Sequence, residues 1–239
     1  MKDKNFKWKG YEWQVTPFWG DHHKEKPSVW YGKDSVNIDS RDCLILDCLY
    51  KPKKFTDGIT REYNVGYVVC KSEFKYGVFE WMAKLPVGLH MWPGLWLASN
   101  QEWPPEIDCM EAWSRADKAT YIKRLLWVDL HPTMHWKENG VHWSEPKFNT
   151  PRCWIDNGWN DFKVEWRKDF VKVWYNGHLA KKFTDKKMLE HFNRKDIKMF
   201  PIMTFDIWED KPGDFSEEKY DKYVTEGLPF IIRDFKYTE

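Results

Sequence analysis

The chain has 239 residues, and its 38 Lys and Arg nearly cancel 37 Asp and Glu, so no overall field draws it to nucleic acid or an anionic membrane. No apolar run is long enough to cross a bilayer, Met1–Gly10 is too charged for a signal peptide, and the five Cys lack the paired spacing of a zinc site. The length suits one domain spanning residues 1–239, and the 17 Trp are the marked deviation, since their flat faces suit sugar rings as well as cores.

Met1–Lys33 reads as an entry strand or two, and the adjacent His22 and His23 diverge on an extended chain, which favours a loop over a metal pair. Ser35–Tyr50 reads as two strands around the turn Asp39–Asp42, with Cys43–Leu46 a buried run. Lys51–Asn64, carrying Pro52, Gly58 and several charges, reads as a surface loop. Val65–Lys71 and Phe74–Leu85 alternate as strands. In the second, Glu80 reads as bonded to a strand neighbour rather than as a further cleft acid. In Met91–Ala98, Trp92, Gly94 and Trp96 share one face, opposite Pro93, Leu95 and Leu97. An odd number of Cys argues against a complete disulfide framework, so the cysteines are expected to be buried as small apolar residues.

Pro105–Trp113 places Glu106, Asp108 and Glu111 within six residues, among apolar residues suited to a strand. Plain alternation would put Glu106 and Asp108 on one face and send Glu111 into the core. A β-bulge at Cys109–Met110 resets the register, so that all three acids share a face with Trp113 while Ile107 and Ala112 point inward. Two carboxylates flanking one sugar bond are what glycoside hydrolysis needs, and a third between them can push the outer pKa values apart. Pro105 removes a ladder donor at the start of this strand.

Beyond it, Ser114–Thr120 reads as a loop and Tyr121–His131 as a strand, followed by His135, Trp136, His142 and Trp143 up to Ser144. Phe162–Trp166 and Val171–Tyr175 form a hairpin, and Asn176-Gly177 is the strong two-residue turn leading to Leu179–Phe183. Asp185–Phe192 is the convincing helix, with Thr184 as its expected cap, and Met199–Trp208 and Leu228–Phe235 close the sheets.

The ordered run Tyr76-Gly77-Val78-Phe79-Glu80, Lys84-Leu85-Pro86, Trp92-Pro93-Gly94-Leu95-Trp96-Leu97, Trp103-Pro104 and Glu106–Glu111 resembles glycoside hydrolase family 16. Phe162–Trp166 and Val173–Gly177 resemble two further strands of that family, so the resemblance runs from about Ser35 to Tyr237. It implies an all-β, two-sheet antiparallel sandwich, a jelly roll with one sheet curved into an open substrate groove. It further implies Glu106 as nucleophile, Asp108 as the residue orienting it and Glu111 as general acid/base of a retaining, endo-acting glycosidase. Trp92, Trp96, Trp113 and Trp208 would contact sugar. His131, with His135 as its rival, would sit near the leaving-group sugar. The bulged spacing resembles enzymes of β-1,3-glucan, agar, porphyran and carrageenan, and β-1,3-glucan is the favoured substrate. Arg115 and Arg124 would supply a sulfate pocket if the substrate were a sulfated galactan. Family relatives that bind glucan after losing the acids make a non-catalytic glucan-binding protein the alternative from another class. No cofactor is required by the resemblance, although some relatives hold a structural calcium whose ligands nothing here identifies. The expected partner is a polysaccharide met by a monomer, outside the cell or in the periplasm.

Overall fold

The computed structural model describes residues 5–23, 26–86, 91–114, 128–146, 158–207 and 229–239. Two antiparallel sheets face each other. The first runs, in spatial order, β1 (Asn5–Trp8), β2 (Tyr11–Gln14), β7 (Thr60–Cys70), β16 (Met199–Ile207), β9 (Met91–Ser99), β10 (Glu106–Ser114), β11 (Val128–Glu138) and β12 (Val141–Pro146). The short β3 (Val29–Tyr31) and β6 (Cys48–Lys54) also pair with β7. The second sheet runs β15 (His178–Phe183), β14 (Phe170–Tyr175), β13 (Asn160–Arg167), β8 (Gly77–Lys84), β17 (Phe230–Thr238), β5 (Leu44–Leu46) and β4 (Val36–Ile38).

Alternation explains why these segments sandwich. Along β8 and β13 every second residue is buried, and Phe79, Trp81, Phe162, Val164 and Trp166 meet Leu95, Leu97, Ile107 and Met203 of the first sheet in one continuous core. β9 and β16 are apolar on both faces over much of their length, which suits central strands covered on one side by the core and on the other by aromatic side chains. Cys43, Cys48, Cys70 and Cys109 are buried free thiols, as small apolar residues would be, and Cys153 lies outside the described residues.

Three local expectations are corrected. Lys51–Lys54 and Thr60–Asn64 are strand rather than loop, because β6 and β7 form a hairpin whose register shifts between Tyr50 and Lys53, where Pro52 need not donate. The helix α1 is Lys186–Asn193 and its cap is Asp185, whose carboxylate accepts from the Met188 N–H at 2.8 Å; Thr184 lies one residue too early. The strand expected to end at His131 continues to Glu138 and turns back at Asn139-Gly140, both in the left-handed region (φ 52° and 78°). Glu80 lies on β8, in the other sheet from the acidic strand, opposite Lys163 and Lys236 on its two neighbours, where it lines an outward-facing depression with Trp174. Trp208, Arg115 and Arg124 lie outside the described residues.

Candidate active site

The register of β10 builds the site. Against β9, Asp108 stands opposite Trp96 and Met110 opposite Leu95, so Cys109 is one residue too many. Against β11, Asp108 pairs with Thr133 and Glu111 with His131, so two residues of β10 face one of its neighbour. Cys109 and Met110 are both fully buried, and the Tyr175 hydroxyl of the second sheet donates to the Cys109 carbonyl at 2.9 Å, holding the bulge from below. Beyond the bulge Glu111 returns to the face of Glu106 and Asp108, and the three acids line a cleft of about 330 Å³ together with Trp92, Trp96 and Trp103.

Each outer acid receives an indole N–H. Trp103 Nε1 donates to Glu106 Oε2 at 2.9 Å, and Trp92 Nε1 donates to Glu111 Oε1 at 3.1 Å. His135 Nε2 lies 3.1 Å from Asp108 Oδ2 and 3.7 Å from Glu106 Oε1. Gly94 forms the floor between Trp92 and Trp96. A Cβ there would lie 2.7 Å from Thr204 Oγ1, so a larger residue would crowd the floor. The opposite wall is polar. Lys26 pairs with Asp206 while sitting 4.5 Å above the Trp92 ring, and Tyr31 donates to Asp206 Oδ2 at 3.1 Å.

Burial drives the electrostatics. Glu106 is pushed up to about 8, first by burial and second by the Asp108 charge, against the pull of His135, the Trp103 N–H and Lys26. Burial alone raises Asp108 well above the carboxylate range. Glu111 is raised well above it too, by burial and then by the charges of Asp108 and Glu106, against His135 and Trp92. Three such groups cannot all be ionised at neutral pH. Asp108 is the deepest, at 2% exposure, so the neutral form is best accommodated on it. A neutral Asp108 removes the second cause of the rise at Glu106. Glu106 then carries the charge beside Trp103 and His135. Among the described residues, Glu106, Asp108 and His135 also form the group whose oxygens and nitrogen, within 4.8 Å of one another, lie close enough to share a cation.

The family model described as glycosyl hydrolases family 16 matches residues 21–222, which hold the three acids and every residue lining this cleft except Trp19. The chain belongs to that family. The endo-1,3-1,4-beta-glycanase ExsH of Rhizobium meliloti is 30% identical over 117 residues, covering 48% of this chain and 22% of that relative. This chain therefore spans less than a quarter of that protein's length. The laminarinase catalytic domain of Thermotoga maritima superposes with a TM-score of 0.65 at 21% identity, covering 87% of this chain and 82% of the other. LamA of Z. galactanivorans, solved with laminaritriose and laminaritetraose, superposes with a TM-score of 0.66 at 17% identity, covering 95% and 92%. At these identities the solved structures speak to the family 16 jelly-roll fold.

Within this family 16 chain, Glu106, Asp108, Glu111, Trp92 and Trp96 come together in the cleft. His131 shares the groove-side face of β11, opposite Glu111, but is only 7% exposed. His135, level with Glu106 in the register, is the imidazole that reaches the acids. Trp113 belongs to β10 opposite Asp129, and its side chain lies outside the described residues. Local patterning missed Trp103, Lys26, Tyr31, Thr204 and Asp206. Only Trp103 had a usable signal, since Trp103-Pro104 stands just before the acidic strand.

Proposed function

We propose that the protein is a retaining endo-glycosidase that cleaves β-1,3-linked glucan. The observation that carries this is the placing of Glu106, Asp108 and Glu111 on one face of β10, across a buried bulge, at the floor of a Trp-lined cleft. In this reading Glu106 attacks the anomeric carbon while Glu111 protonates the leaving oxygen, giving a covalent glycosyl-enzyme. Glu111, now a carboxylate, then takes a proton from water, which attacks the same carbon and releases Glu106. Asp108, neutral or sharing its proton with Glu106, keeps the nucleophile charged. The cleft crosses β7, β16, β9 and β10 and is walled by Trp92, Trp96 and Trp103, which supports binding a chain along its length. The laminarin fragments held by a structural neighbour favour β-1,3-glucan over galactans. The reading needs no cofactor. It takes the protein as a monomer that meets its polymer outside the cell or in the periplasm, in keeping with the polymer's size.

The deciding experiment measures reducing ends from laminarin, mixed-linkage glucan, agarose, porphyran and carrageenan, with the parent protein and with Glu111→Gln. Laminarin should be cut internally by the parent and not by the variant. Equal binding without cleavage by both would make it a glucan-binding protein, and release from a galactan alone would replace the substrate.

A further inference from the structure

The cleft's imidazole is itself held by a second one. His142 stands on β12, opposite Lys137 and diagonal to His135 across the Asn139-Gly140 hairpin. Its Nε2 lies 2.9 Å from His135 Nδ1, with the rings 5.1 Å apart and within 27° of parallel, as an edge-to-edge hydrogen bond requires. Trp103 packs against both rings, with centroids 4.9 Å from His142 and 6.4 Å from His135, while its own N–H holds Glu106. A closed circuit results: Glu106 to Trp103, Trp103 to His142, His142 to His135, and His135 back to the acids.

We infer that His142 is a positioning residue, which fixes His135 in the tautomer that carries its proton on Nε2, toward Asp108 and Glu106. One proton lies between two imidazole nitrogens that bond to each other, so the state of one ring dictates the other. While both rings are neutral the bond can run either way, and the carboxylates facing His135 Nε2 favour the arrangement in which Nε2 carries the proton and Nδ1 accepts from the His142 Nε2–H. When His135 takes up a proton, its Nδ1–H donates to His142 Nε2 instead, and Nε2–H still faces the acids. In both of these arrangements Asp108 and Glu106 face a donor. The groups facing His142 among the described residues are His135 and Lys137 from β11, with Asp108 and Glu106 of β10 behind His135; Trp103 adds no charge. Partial burial, with the charges of His135 and Lys137, holds His142 below the ordinary imidazole range.

The test compares His142→Phe, which keeps a ring against Trp103, with His142→Gln, whose amide N–H can replace the Nε2 donor. Imidazole ¹⁵N shifts, assigned with a His135→Gln control, should show His135 as the Nε2–H tautomer in the parent and in His142→Gln. In His142→Phe they should show a mixture. The kinetic half rests on the proposed hydrolysis: kcat/KM on laminarin should fall about tenfold in His142→Phe, the size of one hydrogen bond lost. His142→Gln should restore it. An unchanged tautomer in His142→Phe overturns the inference, as does a Gln variant no better than Phe. If the parent cleaves none of the polymers, the functional proposal fails but the shifts still decide this one.

Discussion

Replacing Glu106 by Gln should abolish turnover and make the protein more stable, increasingly so as pH rises. The amide keeps the shape of the side chain and an oxygen to accept from Trp103 Nε1 (2.9 Å in the parent), but it never ionises. Glu106 has only 13% of its side chain exposed and is pushed up to about 8 while Asp108 is charged, less far once Asp108 is neutral, whereas an unfolded Glu releases its proton near 4.5. Between those values the folded state binds more protons than the unfolded one, so stability falls as pH rises through the window. The full interval, 4.5 to about 8, corresponds to roughly 4.8 kcal/mol at about 1.36 kcal/mol per pH unit. That is an upper bound, because a neutral Asp108 removes part of the repulsion. A net gain of about 1–3 kcal/mol at pH 8 is expected, or a Tm higher by roughly 2–10 °C for a chain of this size. At pH 4.5 and below both proteins carry a neutral group there, and the gap should shrink toward zero. Thermal melts of the two proteins from pH 4 to pH 8 read this directly. A gap that is constant with pH, or a Gln variant that melts lower at pH 8, would refute the claim that the cleft stores charge strain at Glu106.

Tyr175→Phe removes the donor to the buried Cys109 carbonyl and should cost about 1–3 kcal/mol in urea unfolding, with turnover falling as well because the bulge loosens. Intact turnover in this variant would separate the bulge from Tyr175. Deleting Met110 shortens the acidic motif to plain alternation and leaves the second Glu facing the cleft, so the variant should fold with some activity. Deleting Cys109 and Met110 together should turn that Glu into the core and prevent folding. Circular dichroism and reducing-end release on the two deletions, side by side, check the pair; an active double deletion would contradict the register.

The sandwich was legible where a rule of alternation acts on neighbours in sequence. Glu106, Asp108 and Glu111 could share a face only with an extra residue at Cys109–Met110, and the register shifts fall there. The faces of Trp92 and Trp96 followed from the same rule. The Asn139-Gly140 turn carries the same hairpin signal as Asn176-Gly177, and it is this turn, beyond the strand end expected at His131, that brings His135 and His142 together. The polar wall was beyond reach for a different reason. Lys26 and Tyr31 meet Asp206 from across 180 and 175 residues of chain, and no local period announces such a pairing. Lys51–Lys54 is as charged as a loop because it is an exposed strand, and only its partner β7 distinguishes the two. The helix cap slipped because Thr184 and Asp185 are both good caps, and a carboxylate at the right position won.

The hydrogen bond from Tyr175 to Cys109 spans the gap between the sheets and makes the thickness of the sandwich a kinetic variable. The spacing of Glu106 and Glu111 depends on how far the bulge is drawn down, and that depends on where β14 lies. Side chains packed into that gap, such as Phe162, the cross-strand neighbour of Tyr175 in the same sheet with ring centroids 5.6 Å apart, therefore act at a distance on the distance between the acids. A repacked core that thickens the sandwich would leave every groove residue in place and still detune the chemistry. Drift in the interior is thus constrained by the reaction, and selection on the cleft reaches residues that no sugar ever touches.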